Sequence, residues 1–131
     1  MNRPIILQGI SCALAVTAAL GLGQAFADHI HGVPDAAPDK AHGEKLYNTT
    51  CVACHGNSGK GAIPGVPDLR GQDGRLARKD LETLLHNVEA GYRSPGSTLA
   101  MPPKGGNTGL SERDLVDILD YMREEFVAEA D

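Results

Sequence analysis

Three stretches of this chain repeat apolar residues at helical spacing, and no stretch of useful length alternates them as a half-buried strand would. The last is the strongest. Leu115, Ile118, Leu119, Met122 and Phe126 form one stripe, opposite Glu112, Asp117, Asp120 and Glu124. Ser111 occupies the N-cap position and Asp114 follows three residues later, as in a capping box. The second stripe is Leu81, Leu84, Leu85 and Val88, which predicts a helix from about Lys79 to Ala90, stopped by Gly91. His86 sits beside that stripe, not in it. The first is weaker: Lys40 to Thr49 reads as a helix capped by Asp39, with Gly43 and Tyr47 on one face and Leu46 beside them. A glycine inside a helix costs about 1 kcal/mol relative to alanine, so Gly43 points to another backbone passing close by. The segments between, Gly56 to Pro67 and Tyr92 to Gly109, are rich in glycine and proline and read as loops. The predicted fold class is all-α, three to four helices with long loops that make sense only if they wrap something.

The N-terminus follows different rules. Arg3 precedes an apolar run, Ile5 to Leu22, and small residues gather at Ala25-Phe26-Ala27. A basic start, an apolar centre and an A-x-A end describe a secretory signal peptide, expected over residues 1–27. The rival is an uncleaved anchor, since Ile5 to Phe26 is long enough to span a bilayer. Either way the domain is exported. Cys12 lies within the run and leaves with it. Residues 28–39 read as a flexible leader whose His29 and His31 belong to a solvated tail, and residues 40–131 form the domain.

Charge and composition narrow the class. Loss of residues 1–27 removes only Arg3, leaving 11 basic against 17 acidic residues. That excess argues against nucleic acid or an anionic membrane surface as the main partner. The remaining large aromatics are Tyr47, Tyr92, Tyr121 and Phe126. A domain this small and this poor in rings is expected to fill its centre with something other than its own side chains.

The chemistry sits at Cys51-Val52-Ala53-Cys54-His55. Two cysteines separated by two residues with histidine next is the spacing of covalent haem attachment. Each thiol adds to one vinyl group, and the imidazole then lies under the iron. Three other uses of the pair compete with it. Zinc needs four ligands, usually a second Cys/His pair, and no third cysteine remains outside the extreme N-terminus. A thioredoxin-like pair expects a βαβ setting that the pattern lacks. A plain disulfide leaves His55 unexplained. If His55 binds iron, a sixth ligand is needed or a site stays open. Met1 belongs to the leader and Met122 to the apolar stripe. Met101 stands in a proline-stiffened loop, Ala100-Met101-Pro102-Pro103, which suits a weak thioether bond held against the metal. His86 is the histidine rival.

Cys51 to His55, the Pro67-Asp68-Leu69-Arg70-Gly71 turn twelve residues past the histidine, and Met101-Pro102-Pro103 before a terminal amphipathic helix together resemble the class I cytochromes c. Met-Pro-Pro-Lys-Gly-Gly-Asn resembles the short Gram-negative mono-haem forms, the cytochrome c-five group among them, although the extra cysteine pair frequent in that group is missing. The resemblance spans roughly residues 40 to 126. It implies a small class I cytochrome c fold around one covalently attached haem c. It further implies that the Pro67 carbonyl meets the His55 imidazole, and that Gly43 and Tyr47 cross the C-terminal helix near Ile118 and Tyr121.

The expected activity is one-electron transfer in the periplasm, with Cys51 and Cys54 as thioether anchors and His55 and Met101 as axial ligands. No enzymatic activity is expected. The redox partners are proteins, a dehydrogenase, a cytochrome complex or a terminal oxidase, with membrane contact only through an uncleaved leader. Lys60 and Lys104 are candidates to meet acidic partners at the haem edge. Two alternatives stay open: a haem subunit held permanently in a dehydrogenase or oxidase complex, and a peroxidase-like enzyme if Met101 is not a ligand.

Overall fold

In the computed structural model, residues 36–128 are described. The signal-peptide or anchor assignment, His29 and His31 lie outside them. Three full helices carry the fold: α1 over Lys40–Thr50, α4 over Leu81–Ala90 and α5 over Glu112–Val127. Two single-turn helices, α2 over Val52–His55 and α3 over Arg75–Arg78, were not legible from periodicity, because four residues complete barely one turn. A 3-10 turn follows at Pro103–Gly106. No strand occurs among the described residues, only an isolated antiparallel bridge between Tyr92 and Met101. No helix among the described residues is long and apolar enough to cross a membrane.

The caps explain where the helices begin. Asp39 accepts from the His42 amide at the start of α1, and Asp80 accepts from the Thr83 amide at the start of α4. With Asp80 outside as the cap, α4 begins at Leu81, two residues later than the apolar pattern suggests. Ser111 and Asp114 form the expected capping box at the start of α5. Each such cap stabilises its helix by about 1 kcal/mol.

α1 crosses α5 at Gly43. A Cβ there would stand 2.0 Å from the Asp117 carbonyl oxygen, so the two backbones meet where glycine was read as a close approach. Around the crossing, Tyr47, Tyr121 and Phe126 pack edge-on or tilted, with ring centroids 5.3 to 6.0 Å apart. Leu115, Val116, Ile118 and Leu119 complete this core from α5.

The crossing corrects one expectation. Asp117, placed by its helical position on the polar face, is 2% exposed. Its carboxylate accepts from the Asp39 amide at 2.9 Å, pairs with Arg113 Nε at 3.0 Å, and lies 3.0 Å from His42 Nδ1. α1 runs over this position, and the buried carboxylate is satisfied by groups at the N-terminal end of α1 and one turn back along α5. Arg113 also donates to the carbonyls of Ala36 and Ala37. The segment read as flexible leader is therefore tied to α5 from Ala36 onward.

Candidate functional site

On the other side of α5 the helices stand apart and enclose a cavity of about 380 Å³. Leu115, Ile118, Leu119 and Met122 of α5 form one wall, and Leu84 and Val88 of α4 another. Met122 is thus buried as its stripe predicts, yet it also faces this space.

Cys51, Cys54, His55, Pro67 and Met101 all line the cavity. The loops bring them there. His55 ends α2, and the chain reverses at Gly56, with φ +76°. Amides of the following loop return to this turn: Gly61 donates to the His55 carbonyl and Ala62 to the Cys54 carbonyl, both at 2.8 Å. On the far side, Met101 exchanges two backbone hydrogen bonds with Tyr92, at 2.9 and 3.0 Å. Gly91 makes that approach possible. A Cβ on it would fall 2.9 Å from both the Met101 carbonyl oxygen and the Pro103 nitrogen, and its φ of +80° favours glycine. The glycine read as a helix stop therefore also seats the methionine loop.

The two thiols are not joined to each other, so the disulfide reading has no support here. Burial, reinforced by Cys54, pushes the Cys51 thiol up to about 11. Burial lowers the His55 pKa, favouring the neutral imidazole whose lone pair can bind a metal. The His55 Nδ1 atom is buried without a hydrogen-bond partner, and the Pro67 carbonyl, although in the same cavity wall, makes no hydrogen bond to it in this structure. His86, the histidine rival to Met101, is exposed and does not line the cavity.

A haem suits this site. The cavity walls are mainly aliphatic, as a flat apolar macrocycle requires, and the imidazole inside is neutral and has no competing partner. The charges that do line it, Arg75, Lys79 and Lys104, are all cationic, in a chain with more acids than bases. Two propionates would be received and not repelled. Sequence periodicity missed Arg75 and Lys79. Their spacing of four, on and just past α3, was the available signal.

Lys104 departs from its expected role. Its φ is +52°, and its Nζ donates to the Leu110 carbonyl at 2.7 Å, so it staples the loop after Met101 to the segment leading into α5. Lys60 remains exposed. At the mouth of the cavity stand Ile63 and Leu99, 41% and 43% exposed. Their loops are joined by a 2.9 Å hydrogen bond from Ser97 Oγ to the Gly65 carbonyl.

Comparison with known proteins agrees with this geometry. Residues 40–125 match the family described as cytochrome c. Cytochrome c-554(548) of Halomonas halodenitrificans is 39% identical over 85 residues, 65% of this chain and 94% of that one. Cytochrome c-555 of Chlorobaculum tepidum is 33% identical over 113 residues, 86% of this chain and 92% of its own. The crystal structure of cytochrome cL from Methylophaga aminisulfidivorans shares the fold with a TM-score of 0.50 at 24% identity, over 64% of this chain and about half, 51%, of that one. Helical architecture, cavity and sequence kinship converge: the chain belongs to the cytochrome c family, as a small class I c-type cytochrome that carries covalently bound haem c and serves electron transport.

Proposed function

We propose that this protein is an exported, periplasmic one-electron carrier and not an enzyme. Cys51 and Cys54 tether the haem by thioether links, and His55 and Met101 bind its iron from opposite sides. The observation that carries this reading is that one mainly apolar cavity is lined both by Cys51, Cys54 and His55, on and just before α2, and by Met101 from a distant loop. The haem, once bound, supplies an iron that cycles between ferrous and ferric states, with a soft thioether favouring the ferrous one.

The chain's own residues do the rest. The bridge to Tyr92 and the contact at Gly91 hold Met101 in place, which favours a closed iron over the open site that peroxidase-like chemistry needs. The apolar walls exclude water from the iron and leave the redox centre in a poorly polarisable setting. Pro67 is proposed to close its carbonyl onto His55 Nδ1 in the haem-bound protein, fixing tautomer and ring orientation. Arg75 and Lys79 offer their cations to the propionates.

Electrons are proposed to leave at the cavity mouth between Ile63 and Leu99, where a redox partner protein docks, with the exposed Lys60 as a cation to steer it. Residues 1–27 act as the export signal and are removed.

The test is spectroscopic. Protein exported by a cell with working haem-attachment machinery is expected to be red, to have gained the mass of one haem and lost residues 1–27, and to show in its oxidised form the weak long-wavelength band of methionine–iron coordination. A high-spin ferric spectrum at neutral pH would sink Met101 ligation and favour the open-iron enzyme. Co-purification with a larger catalytic subunit would replace the free shuttle by a resident haem subunit.

A further inference from the structure

The ring of Tyr47 is fully enclosed at the α1–α5 crossing, where bulk alone would serve. Its hydroxyl does something separate. It donates at 2.6 Å to the carbonyl of Gly56, the residue after His55. Burial, reinforced by Cys51 and Tyr121, raises the pKa of this phenol well above the ordinary tyrosine value, so it stays a donor.

The peptide units flanking His55 are held by backbone alone, and Tyr47 acts on the next unit, between Gly56 and Asn57. The His55 amide donates to the Cys51 carbonyl at 3.0 Å, the Gly61 amide donates to the His55 carbonyl at 2.8 Å, and the Gly56 amide donates to the Val52 carbonyl at 2.8 Å. The imidazole itself has no polar restraint, because Nδ1 is buried and unpartnered. The backbone at 55 and 56 therefore sets where the ring stands, and a Pro67 bond in the haem-bound protein would act on a ring already aimed by it. Gly56 is the softest member of that run, since glycine ranges over conformations closed to other residues. The Tyr47 hydroxyl ties down the Gly56 carbonyl, which otherwise meets only the Gly59 amide at a long 3.4 Å.

We propose that Tyr47 is a positioning residue for His55: by fixing the Gly56 carbonyl it sets the imidazole orientation in both oxidation states of the iron. The proposal rests on the reading of His55 as an axial ligand. It links the helix crossing, which stabilises the fold, to the iron, which performs the reaction. A ring held in one orientation rearranges less when the charge on the iron changes, so electron exchange is faster.

The experiment compares Tyr47→Phe with Phe126→Leu in the haem-loaded protein. Tyr47→Phe keeps the ring and loses the hydroxyl. It is expected to move the strongly shifted NMR resonances of the His55 ring protons in the oxidised protein, to shift the midpoint potential and to slow electron self-exchange. Phe126→Leu loosens the same aromatic cluster without touching Gly56. It is expected to lower the melting temperature and leave the His55 resonances and the potential where they were. A Tyr47→Phe protein that only melts earlier, with His55 resonances and potential unchanged, overturns the proposal. Should Tyr47→Phe fail to assemble, the reduced wild-type protein gives the answer: a slowly exchanging Tyr47 hydroxyl proton with cross-relaxation to the 55–57 segment supports it, and a freely exchanging one overturns it. Wild-type oxidised protein with no such shifted His55 resonances would overturn the axial assignment itself, a failure visible before any variant is made.

Discussion

The two sides of α5 are built on opposite principles. Toward α1, the crossing at Gly43 is packed by the chain's own residues: three aromatic rings in mutual contact and a buried Asp117 with its donors supplied. Toward α4 and the loops, the same helix lines a cavity of about 380 Å³ that no side chain fills. A mainly apolar recess of that size is where a flat, mainly apolar guest would restore native packing density. One side of the molecule makes its core, and the other receives it. The difference teaches why the long glycine- and proline-rich loops are tolerable: they are arranged around a guest.

The largest effect should come from removing the guest. Cys51→Ala with Cys54→Ala is expected to abolish cooperative thermal unfolding followed by circular dichroism, because the cavity walls lose their filling. A double variant that melts cooperatively with full helicity would mean that the α1 side suffices, and the comparison would fail. Next comes the crossing. Gly43→Ala places a methyl group 2.0 Å from the Asp117 carbonyl oxygen and should cost about 3 kcal/mol in chemical denaturation, while leaving the haem spectrum unchanged.

Asp117→Asn tests the same side more gently. It keeps the shape and weakens the bonds to Arg113, His42 and the Asp39 amide, with an expected loss of about 2 kcal/mol. Gly91→Ala tests the guest side alone. It should displace the Met101 loop and weaken the methionine–iron band, with the α1–α5 contacts and far-ultraviolet spectrum intact.

The smallest effect is at the surface. The Asp68 carboxyl is held down at about 2 by its hydrogen bonds to Arg70, below its usual 3.8. A depressed folded pKa adds stability that is complete above pH 4 and fades as pH falls toward 2. Both side chains are exposed, so the contribution is expected to stay below about 1 kcal/mol. Asp68→Asn should flatten the stability profile over that interval, lowering stability slightly at pH 7 and leaving it unchanged below about pH 2.

Much of the fold could be read directly. Asp39, Ser111 and Asp114 cap the helices as their residue types require, since each cap is a bond within a few residues of sequence. Gly43 announced a close backbone contact, and the Cys51-to-His55 spacing and Met101 in a stiff loop singled out residues that line one cavity. Asp117 was misplaced because periodicity assigns faces to one helix and cannot say that a second helix will cover the polar face. Lys104 was read as a docking charge because its sequence neighbours are loop residues, whereas its amine turns inward to Leu110.

The sequence by itself determined the three long helices, to within two residues at their starts, and the candidates for the chemistry, because caps, apolar stripes and the C-x-x-C-H spacing are all local signals. The tertiary structure alone decided that Gly91 makes room for Met101, that Asp117 is buried, and that the Tyr47 hydroxyl meets Gly56. Those contacts depend on how helices and loops approach in three dimensions, and no pattern along one dimension encodes an approach distance.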